Sequence, residues 1–313
     1  MQPANPDDVL VTALIITYNH ERYIRGAIES ALMQETTFKV EILISEDAST
    51  DGTRQIVRDY AEKYPDRIRT ILSEVNLRSN RTVARGLDAA RGRFVCLLDG
   101  DDLWTSRSKL QMQADYLLAH PETAAHFLNA TIIQGEEVTD RLWTPVSQPR
   151  RLDMAAIWEG NPFATAGGMM RTELVRGVPE WYDGFFPRTD WPLYILCAMS
   201  GYLDFDPEPA AQYRLHGGGL YRPLGETEKF RSTDAFYRRM DECLEGRFRN
   251  EAKIGSARFF FDWSATHLAA GRLGLAWDAW RRSLWGTGIK GGISRRRSAR
   301  QALRLIGEGA RFW

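Results

Sequence analysis

Three carboxylates follow one another at the end of a short apolar run in the segment RFVCLLDGDDLW, residues 93–104. Asp99, Asp101 and Asp102 are interrupted only by Gly100. Carboxylates this close repel one another, and burying one without a partner is costly. Water, a basic neighbour or a metal ion must therefore compensate their charge.

Three kinds of structure could supply that compensation. A calcium-binding loop is disfavoured because its twelfth position, normally Glu, is Leu110 here. A solvated turn is the usual fate of an acidic cluster. A Mg²⁺ or Mn²⁺ site explains the arrangement best, because such ions take one or two carboxylates and complete their shell with water and phosphate oxygens. Two unit charges about 4 Å apart interact by about 4 kcal/mol at an effective dielectric of about 20, so a cation between carboxylates and diphosphate turns repulsion into attraction.

Alternating strands and helices must position these acids. Apolar, β-rich runs predict strands at 9–17, 40–45, 68–72 and 94–99. Helical spacing predicts a helix from residue 21 with Asn19 as its N-cap, and further helices at 54–63 and 81–90. This repetition indicates a mostly parallel sheet covered by helices on both faces, an α/β fold.

In such sheets ligands bind beyond the carboxyl ends of the strands. Asn19 follows the first predicted strand, Glu46 and Asp47 follow the second, and the acidic cluster follows the fourth. We expect these side chains to gather at one edge of the sheet. One acidic turn would be unremarkable, but several at one edge indicate a binding site.

Further along, the chain predicts a helix at 109–122, a strand at 124–133, an irregular region at 134–161, and a helix at 192–200 followed by a strand. From about residue 227 onward the pattern is helical. We therefore expect a main domain at 1–226, with a nucleotide-binding half at 9–122 and an acceptor half at 123–226. A helical C-terminal appendage is expected at 227–313.

Composition limits the class of protein. The 313 residues carry 41 Lys plus Arg and 41 Asp plus Glu, so net charge gives no reason to expect nucleic-acid binding. Three widely spaced cysteines without a CxxC pair favour a reduced, cytoplasmic protein and disfavour a zinc site. The first residues are polar and do not form a secretory signal, and no apolar run approaches the ~20 residues that span a bilayer.

Charge is nevertheless uneven along the chain. From residue 276 to the end, nine Arg or Lys occur against two acids, with tryptophans, Leu303 and Ile306 among them. One interpretation is a peripheral contact with an anionic membrane surface, at the inner face of the plasma membrane. The other, slightly favoured, is a pair of helices that packs its aromatic side chains on the main domain and leaves its arginines in water.

Four motifs occur in an order that resembles the inverting family 2 glycosyltransferases of the GT-A fold, of the bacterial surface-polysaccharide type. They are TALIITYN, ISEDASTDGT, NLRSNRTVARGLDAARGRFVCLLDGDD and YRLHGGG, within residues 10–220. The resemblance implies a GT-A nucleotide-diphospho-sugar transferase fold, with a Rossmann-like sheet. It also implies a metal-dependent enzyme that moves a sugar from a nucleotide sugar, expected to be UDP-linked, to a hydroxyl of a glycan or glycolipid. The cofactor implied is Mn²⁺ or Mg²⁺.

Matching the motifs residue by residue gives expected roles. The expected nucleotide-binding residues are Thr17, Tyr18, Asn19, Glu46, Asp47, Arg78, Asp99 and Gly100. Asp47 would accept the imide N–H of uracil, or would instead form an Asx-turn before the next helix. Asp99 would bind the ribose, Asp101 and His216 the metal, and Asp102 would orient the loop. The glycines at 217–219 would let backbone N–H groups approach phosphate oxygens. Glu46 in place of the commoner Asp, and Arg78 in place of Gly, depart from the family pattern.

Asp190, in the segment RTDWPLYI, matches the family's catalytic base. An ordinary helix N-cap is the alternative for this residue, and Asp183 and Glu180 are alternative bases. The implied reaction is a single displacement with inversion at the anomeric carbon. A catalytically degenerate nucleotide-sugar-binding partner subunit is the rival interpretation, and a sugar-nucleotide nucleotidyltransferase is a weaker one. HGGG also matches an esterase oxyanion motif, but the chain has no G-x-S-x-G elbow.

Overall fold

The computed structural model describes residues 9–135, 137–216, 225–286, 288 and 292–309. The chain divides into two compact units, each described by itself below. One comprises residues 1–153 and 162–219, and the other comprises residues 154–161 and 220–313.

The first unit is built on a ten-stranded sheet. Its strands are β1 (Val9–Thr17), β2 (Lys39–Glu46), β3 (Ile68–Leu72), β4 (Phe94–Asp99), β5 (Leu103–Trp104), β6 (Thr123–Gln134), β7 (Glu137–Leu142), β8 (Arg151–Leu152), β9 (Gly168–Arg171) and β10 (Tyr202–Leu215). Their order is β3-β2-β1-β4-β9-β6-β10-β5, with β7 beside β6 and β8 beside β10. The pairs β3–β2, β2–β1, β1–β4 and β6–β10 are parallel, and β9 runs antiparallel between β4 and β6. The predicted, mostly parallel sheet is confirmed.

Helices cover both faces of this sheet. They are α1 (Ile24–Leu32), α2 (Thr53–Lys63), α3 (Arg81–Ala89), α4 (Lys109–Ala119), α6 (Thr172–Val175) and α7 (Asp190–Ala198). Ala13 and Ile15 of β1 belong to a core cluster with residues of α1, α2 and α4. Leu14 points to the opposite face, where Gly86 of α3 packs so closely that an added Cβ would lie 2.6 Å from Leu14 Cδ1. Because both faces are buried, the strands are continuous apolar runs.

The strand register brings the ends of β1, β2 and β4 to one edge. Thr17 pairs with Glu46, and Ile16 pairs with Asp99. The side chains that follow these strands therefore begin from neighbouring positions. The expected gathering of strand ends is present in the backbone itself.

Two local predictions are wrong. Asn19 is not a helix N-cap: α1 begins at Ile24 after Tyr23, and Asn19 has a left-handed φ of 53°. Asn tolerates that conformation better than most residues, and here it starts a separate turn ahead of the helix. The region 134–161 is not irregular throughout, because it contains β7, β8 and α5 (Met154–Glu159). Strands of two to six residues carry too little periodicity to be recognised in a sequence.

The second unit is helical over the part that the structure describes. Besides α5 it contains α8 (Glu226–Cys243), α9 (Arg249–Ala269), α10 (Leu273–Ser283) and α11 (Arg295–Gly309). Gly255 of α9 lies against α5, where an added Cβ would come 1.9 Å from the carbonyl oxygen of Trp158. The predicted helical pattern from about residue 227 onward agrees with these helices, and the division into 1–226 and 227–313 stays a prediction. None of the helices described is long and apolar enough to cross a membrane.

Candidate active site

The turn after β4 holds the acidic cluster against the end of β1. The N–H of Gly100 donates to the carbonyl of Ile16 at 2.8 Å. A Cβ at position 100 would lie 2.7 Å from both Thr17 Oγ1 and His20 Nδ1. Only glycine allows this approach, so Gly100 fixes how Asp99 and Asp101 are presented.

Asp101 lies between two imidazoles. His216 Nε2 is 2.7 Å from Asp101 Oδ2, and His20 Nε2 is 3.8 Å from the same oxygen. His216 is among the site residues predicted from the sequence, and His20 is not. Its position directly after the Thr-Tyr-Asn segment was the available signal, and the left-handed turn at Asn19 is what brings it back to the cluster.

The three acids have different electrostatic environments. Burial, with the charges of Asp101 and Asp190, raises the pKa of Asp99 to about 8. Burial alone would raise the pKa of Asp101, but hydrogen bonding to His216 and the charges of His20 and His216 lower it. Burial, then Asp101 and Asp99, raises the pKa of Asp102 well above its ordinary value. One carboxylate therefore keeps its charge while its two neighbours are pushed towards the neutral form.

Asp102 has the geometry of a residue that orients the loop. Its Oδ1 accepts the backbone N–H of Arg214 at 2.8 Å, while Arg214 Nε donates to the carbonyl of Asp101 at 3.0 Å. Arg214 therefore ties the acidic turn to the end of β10, two residues before His216. The Arg214 guanidinium also lies 4.7 Å from the centre of the Tyr23 ring, which is 5.3 Å from the His216 ring.

The loops after β1 and β2 hold each other in place. Asn19 Oδ1 accepts the N–H of Thr50 at 2.8 Å, and the N–H of Asp47 donates to the carbonyl of Thr17 at 3.0 Å. Glu46 is fully buried, and its carboxylate accepts hydrogen bonds from the N–H of Ser49 and from Arg54. Glu46 thus shapes the loop with oxygens that are already engaged.

Asp47 does not form the alternative Asx-turn, because Asp51 Oδ1 accepts the N–H of Thr53 at the start of α2. Instead, Asp47 Oδ1 accepts the N–H of Leu77 at 3.1 Å and the hydroxyl of Ser73 at 3.3 Å. Both of these contacts, the ones that the described residues make with the Asp47 carboxylate, end on Oδ1 and leave Oδ2 to other partners. Oδ2 is therefore the oxygen with which Asp47 could meet a nucleobase.

Arg78 occupies a left-handed position, with a φ of 45°. Glycine adopts this conformation without strain, which gives a physical reason why it is common at this place in the motif. The backbone N–H of Arg78 donates to Asn76 Oδ1 at 2.8 Å. The Arg78 side chain is exposed beside the loop that holds Asp47.

Asp190 begins α7 rather than capping it, since Thr189 is the N-cap residue. Its Oδ1 accepts the N–H of Trp191 at 2.7 Å, and Thr165 Oγ1 lies 3.5 Å from its Oδ2. Its charge contributes to the raised pKa of Asp99, so the two carboxylates belong to one electrostatic site. Of the alternative bases, Asp183 is paired with Arg81 at 3.3 Å.

Asn80 joins the segment after β3 to the segment that carries Asp190. Its side chain is 1% exposed, and its Nδ2 donates to the carbonyls of Tyr182 and Arg188 at 3.0 and 3.1 Å. Thr189 Oγ1 donates to Asn80 Oδ1 at 3.3 Å. One amide therefore holds both ends of the loop 182–189, directly before Asp190.

If Asp190 is the base of the sugar transfer that the resemblance implies, Asn80→Ala should lower that activity about tenfold, because two carbonyls lose their donors and Asp190 loses its support. Nucleotide affinity should change by about twofold or less, since the Asn80 side chain bonds to Tyr182, Arg188 and Thr189 and not to Asp47. In an Asp190→Asn background the same substitution should cause no further loss. Initial-rate measurements on the four combinations check this, and additive losses would contradict it.

The residues predicted to hold a metal have suitable chemistry. Asp101 and His216 supply a charged oxygen and an imidazole nitrogen within 2.7 Å of each other, a donor set that Mn²⁺ accepts readily and Mg²⁺ accepts through the carboxylate. Next to Asp101 in the chain, Asp102 Oδ2 is a buried oxygen that has no hydrogen-bond partner among the described residues. In the described ranges no group of three or more His, Cys, Asp or Glu is arranged to hold a metal. The glycines at 217–219 lie outside the described residues.

Known proteins resemble this chain over most of its length. The family model for glycosyl transferase family 2 matches residues 12–176, more than half of the chain. An uncharacterized Mycobacterium tuberculosis protein is 34% identical over 249 residues, 77% of this chain and 70% of that protein. The Escherichia coli enzyme WfgD, named UDP-Glc:alpha-D-GlcNAc-diphosphoundecaprenol beta-1,3-glucosyltransferase, is 31% identical over 139 residues, 44% of this chain and 53% of that protein.

The fold has solved counterparts. The structure of S. aureus TarS residues 1–349 in complex with UDP-GlcNAc superposes with a TM-score of 0.61 at 16% identity, covering 96% of this chain and 89% of that one. At this identity the likeness supports the GT-A fold alone. The family match, with the glycosyltransferase relative, establishes that this chain belongs to glycosyltransferase family 2 and is a glycosyltransferase.

Proposed function

We propose that the protein is an inverting glycosyltransferase that uses a UDP-sugar and a divalent cation to extend a glycan or glycolipid. The strongest support is that four side chains interact at the carboxyl end of β4. They are Asp99, Asp101, His216 and Asp190. Residues 9–122 would bind the donor and residues 123–226 the acceptor, with residues 227–313 as an appendage.

In this proposal Asp101 and His216 hold Mn²⁺ or Mg²⁺. A bound cation would hold the diphosphate and neutralise the charge of the leaving group. Two protein ligands suffice, because such ions take their remaining ligands from phosphate oxygens and water. Asp102 and Arg214 keep the turn in place, and Gly100 gives the ligand room to approach.

On the donor side, Thr17 and Tyr18 would pack against the base, Asn19 and Glu46 would hold the loop, and Asp99 would bind the ribose. Arg78 would reach the base or the diphosphate. Asp47 Oδ2 would accept the imide N–H of uracil, a donor that cytosine lacks. A UDP-linked sugar is favoured for this reason, and the names of WfgD and the TarS complex agree with it.

We expect Asp47→Asn to change base preference from uracil towards cytosine. The carbonyl of the new amide should keep the N–H of Leu77 as its partner, which turns the amide NH₂ towards the base. An NH₂ group opposes the imide N–H of uracil but can donate to the ring nitrogen of cytosine. UDP affinity should fall about tenfold or more while CDP affinity rises. Calorimetry with both nucleotides measures this, and an equal loss for both would contradict the assignment.

On the acceptor side, Asp190 would take the proton from an acceptor hydroxyl. The hydroxyl oxygen then forms a bond to the anomeric carbon as the bond from that carbon to the diphosphate oxygen breaks. The nucleoside diphosphate leaves with the bonding electrons. Attack from the opposite side inverts the configuration, so an α-linked donor gives a β-linkage.

Hydrolysis of a panel of UDP-, GDP-, dTDP- and CDP-sugars, with and without Mn²⁺, tests this function. Metal-dependent release of UDP from one UDP-sugar is the expected result. Binding of UDP with no turnover of any donor or acceptor would favour a degenerate binding subunit. Formation of a nucleotide sugar from a sugar phosphate and UTP would favour a nucleotidyltransferase.

We also propose that the enzyme works in the cytoplasm and contacts the inner face of the plasma membrane through its C-terminal segment. Its three cysteines are free thiols, which suits a reducing compartment. A glycolipid acceptor would place the substrate at that membrane. Fractionation of cells producing the full chain, before and after a high-salt wash, separates soluble protein from protein bound by charge.

A further inference from the structure

The helix α11 buries two polar side chains and exposes two large aliphatic ones. Its inward side chains Ser298, Gln301 and Leu305 are 3%, 3% and 0% exposed. Gln301 Nε2 donates to Ser264 Oγ of α9 at 3.2 Å, and Trp280 Nε1 of α10 donates to the carbonyl of Ser298 at 3.1 Å. Two of the three inward residues are thus hydrogen-bonded polar groups.

The outward face of α11 consists of Arg296, Arg300, Leu303, Arg304 and Ile306. Leu303 is 67% exposed and Ile306 is 56% exposed. Leu303 is the most exposed large hydrophobic side chain in the described part of the chain. A helix surrounded by water normally shows the opposite pattern, with apolar residues inward. Exposed aliphatic residues grouped on one helix face indicate a surface that is covered by something else.

The positive charge of this face limits the kinds of partner that can bind it. Residues 295–307 include five arginines and no acid. Elsewhere in the same unit arginines are paired with acids: Arg282 lies 3.1 Å from Asp234, and Arg249 lies 3.1 Å from Asp241. Helix α11 as a whole carries these five arginines against a single acid, Glu308, so most of its positive charge has no acid beside it along the helix. The face therefore suits a partner that brings its own negative charge.

Aliphatic and basic side chains on one helix face match the boundary of an anionic bilayer. Guanidinium groups bind phosphate oxygens with paired hydrogen bonds, and Leu and Ile enter the zone between headgroups and acyl chains. A nucleic acid would use the arginines but leave Leu303 and Ile306 in water. A second copy of the same face would bring arginines against arginines.

We propose that the outward face of α11 binds an anionic phospholipid surface and holds the enzyme there reversibly. This proposal is independent of the assignments made in the active site, because none of those residues lies in α11. Five side chains of one helix face would thus carry the membrane contact proposed above for the C-terminal segment. The aliphatic pair and the arginines must both contribute if it is right.

Vesicle flotation of the full-length protein tests the proposal, with phosphatidylcholine alone and phosphatidylcholine mixed with phosphatidylglycerol. The unmodified protein should float with the mixed vesicles only. The triple variant R296Q/R300Q/R304Q should lose about 100-fold in apparent affinity, since each arginine near an anionic surface contributes about fivefold. The double variant L303S/I306S, which keeps every charge, should lose about tenfold or more.

Matched controls separate this face from general effects of charge and apolarity. Val146→Ser removes an aliphatic side chain that is 66% exposed in the first unit. R58Q/R91Q/R141Q removes three exposed arginines of that unit. Both controls should bind mixed vesicles like the unmodified protein, and all variants should hydrolyse donor in solution at the unmodified rate.

Several results would overturn the proposal. One is equal binding to both kinds of vesicle, and another is an equal loss in the controls. A third is unchanged vesicle binding in L303S/I306S while a single-stranded RNA homopolymer displaces the unmodified protein, which would indicate a polyanion site. A fourth is a change from dimer to monomer in L303S/I306S without any change in vesicle binding, which would indicate contact with a second copy.

Discussion

Replacing Asp101 with Asn is expected to abolish metal-dependent binding of UDP and to lower sugar transfer by about 100-fold or more. The substitution keeps the size of the side chain and one oxygen near His216, but it removes the negative charge that would face the cation. Without that charge, a diphosphate brought to this turn meets no compensating ion. Titration calorimetry with UDP, with and without Mn²⁺, measures the first effect, and initial rates measure the second.

The contrast with other acids makes this result specific. Asp66→Asn changes an exposed acid away from the cluster and should leave both quantities unchanged. His216→Gln should also weaken the metal dependence, because it removes the nitrogen 2.7 Å from Asp101. If Asp101→Asn bound UDP and Mn²⁺ as tightly as the unmodified protein, the metal would have to be held elsewhere. The turn would then be an acidic turn held together by its two histidines.

Buried parallel strands explain why so much of the fold could be predicted from the sequence. The predicted bounds 9–17, 68–72 and 94–99 coincide with β1, β3 and β4. Such strands are buried on both faces, so each is an uninterrupted apolar run with sharp polar ends. The same ends carry the acids, and the parallel register then brings Thr17, Glu46 and Asp99 to one edge.

Contacts between distant parts of the chain could not be predicted in this way. His20 reaches Asp101 only because Asn19 turns the backbone with a positive φ. Asn80 holds Tyr182 and Arg188, more than 100 residues further along, and nothing in its local sequence indicates a partner. Strand β9 enters antiparallel between β4 and β6, although its four residues give no distinct periodicity. Such features depend on tertiary packing rather than on local pattern.

The same limit applies to Asp190, for which the local sequence allowed either a base or an N-cap. The structure places it inside α7, where its Oδ1 accepts the N–H of the next residue, so a conventional N-cap is not its role. Its neighbours are the buried Tyr182 and Tyr194, whose pKa values are raised by burial and by the charges of Asp190 and Asp99. These phenols and the neighbouring carboxyl of Asp99 disfavour further negative charge around Asp190, because like charges repel and burial penalises ionisation. This environment suits a group that accepts a proton.

Asp190→Asn is therefore expected to lower the turnover number for transfer by about 10²- to 10⁴-fold, the range in which a lost general base falls. Metal-dependent UDP affinity should stay within about twofold, because the substitution leaves Asp101 and His216 unchanged. The amide oxygen can still accept the N–H of Trp191, so α7 should begin as before.

The variants Asp183→Asn and Glu180→Gln, which remove the alternative bases, should lower turnover far less. A large loss in Asp183→Asn with full activity in Asp190→Asn would move the base to Asp183. A loss of UDP binding in Asp190→Asn would instead assign Asp190 to the donor site. The two variants should differ in kind: Asp101→Asn should lose UDP binding, whereas Asp190→Asn should lose turnover alone. That difference would assign the Asp101 side of the site to the donor and the Asp190 side to the acceptor.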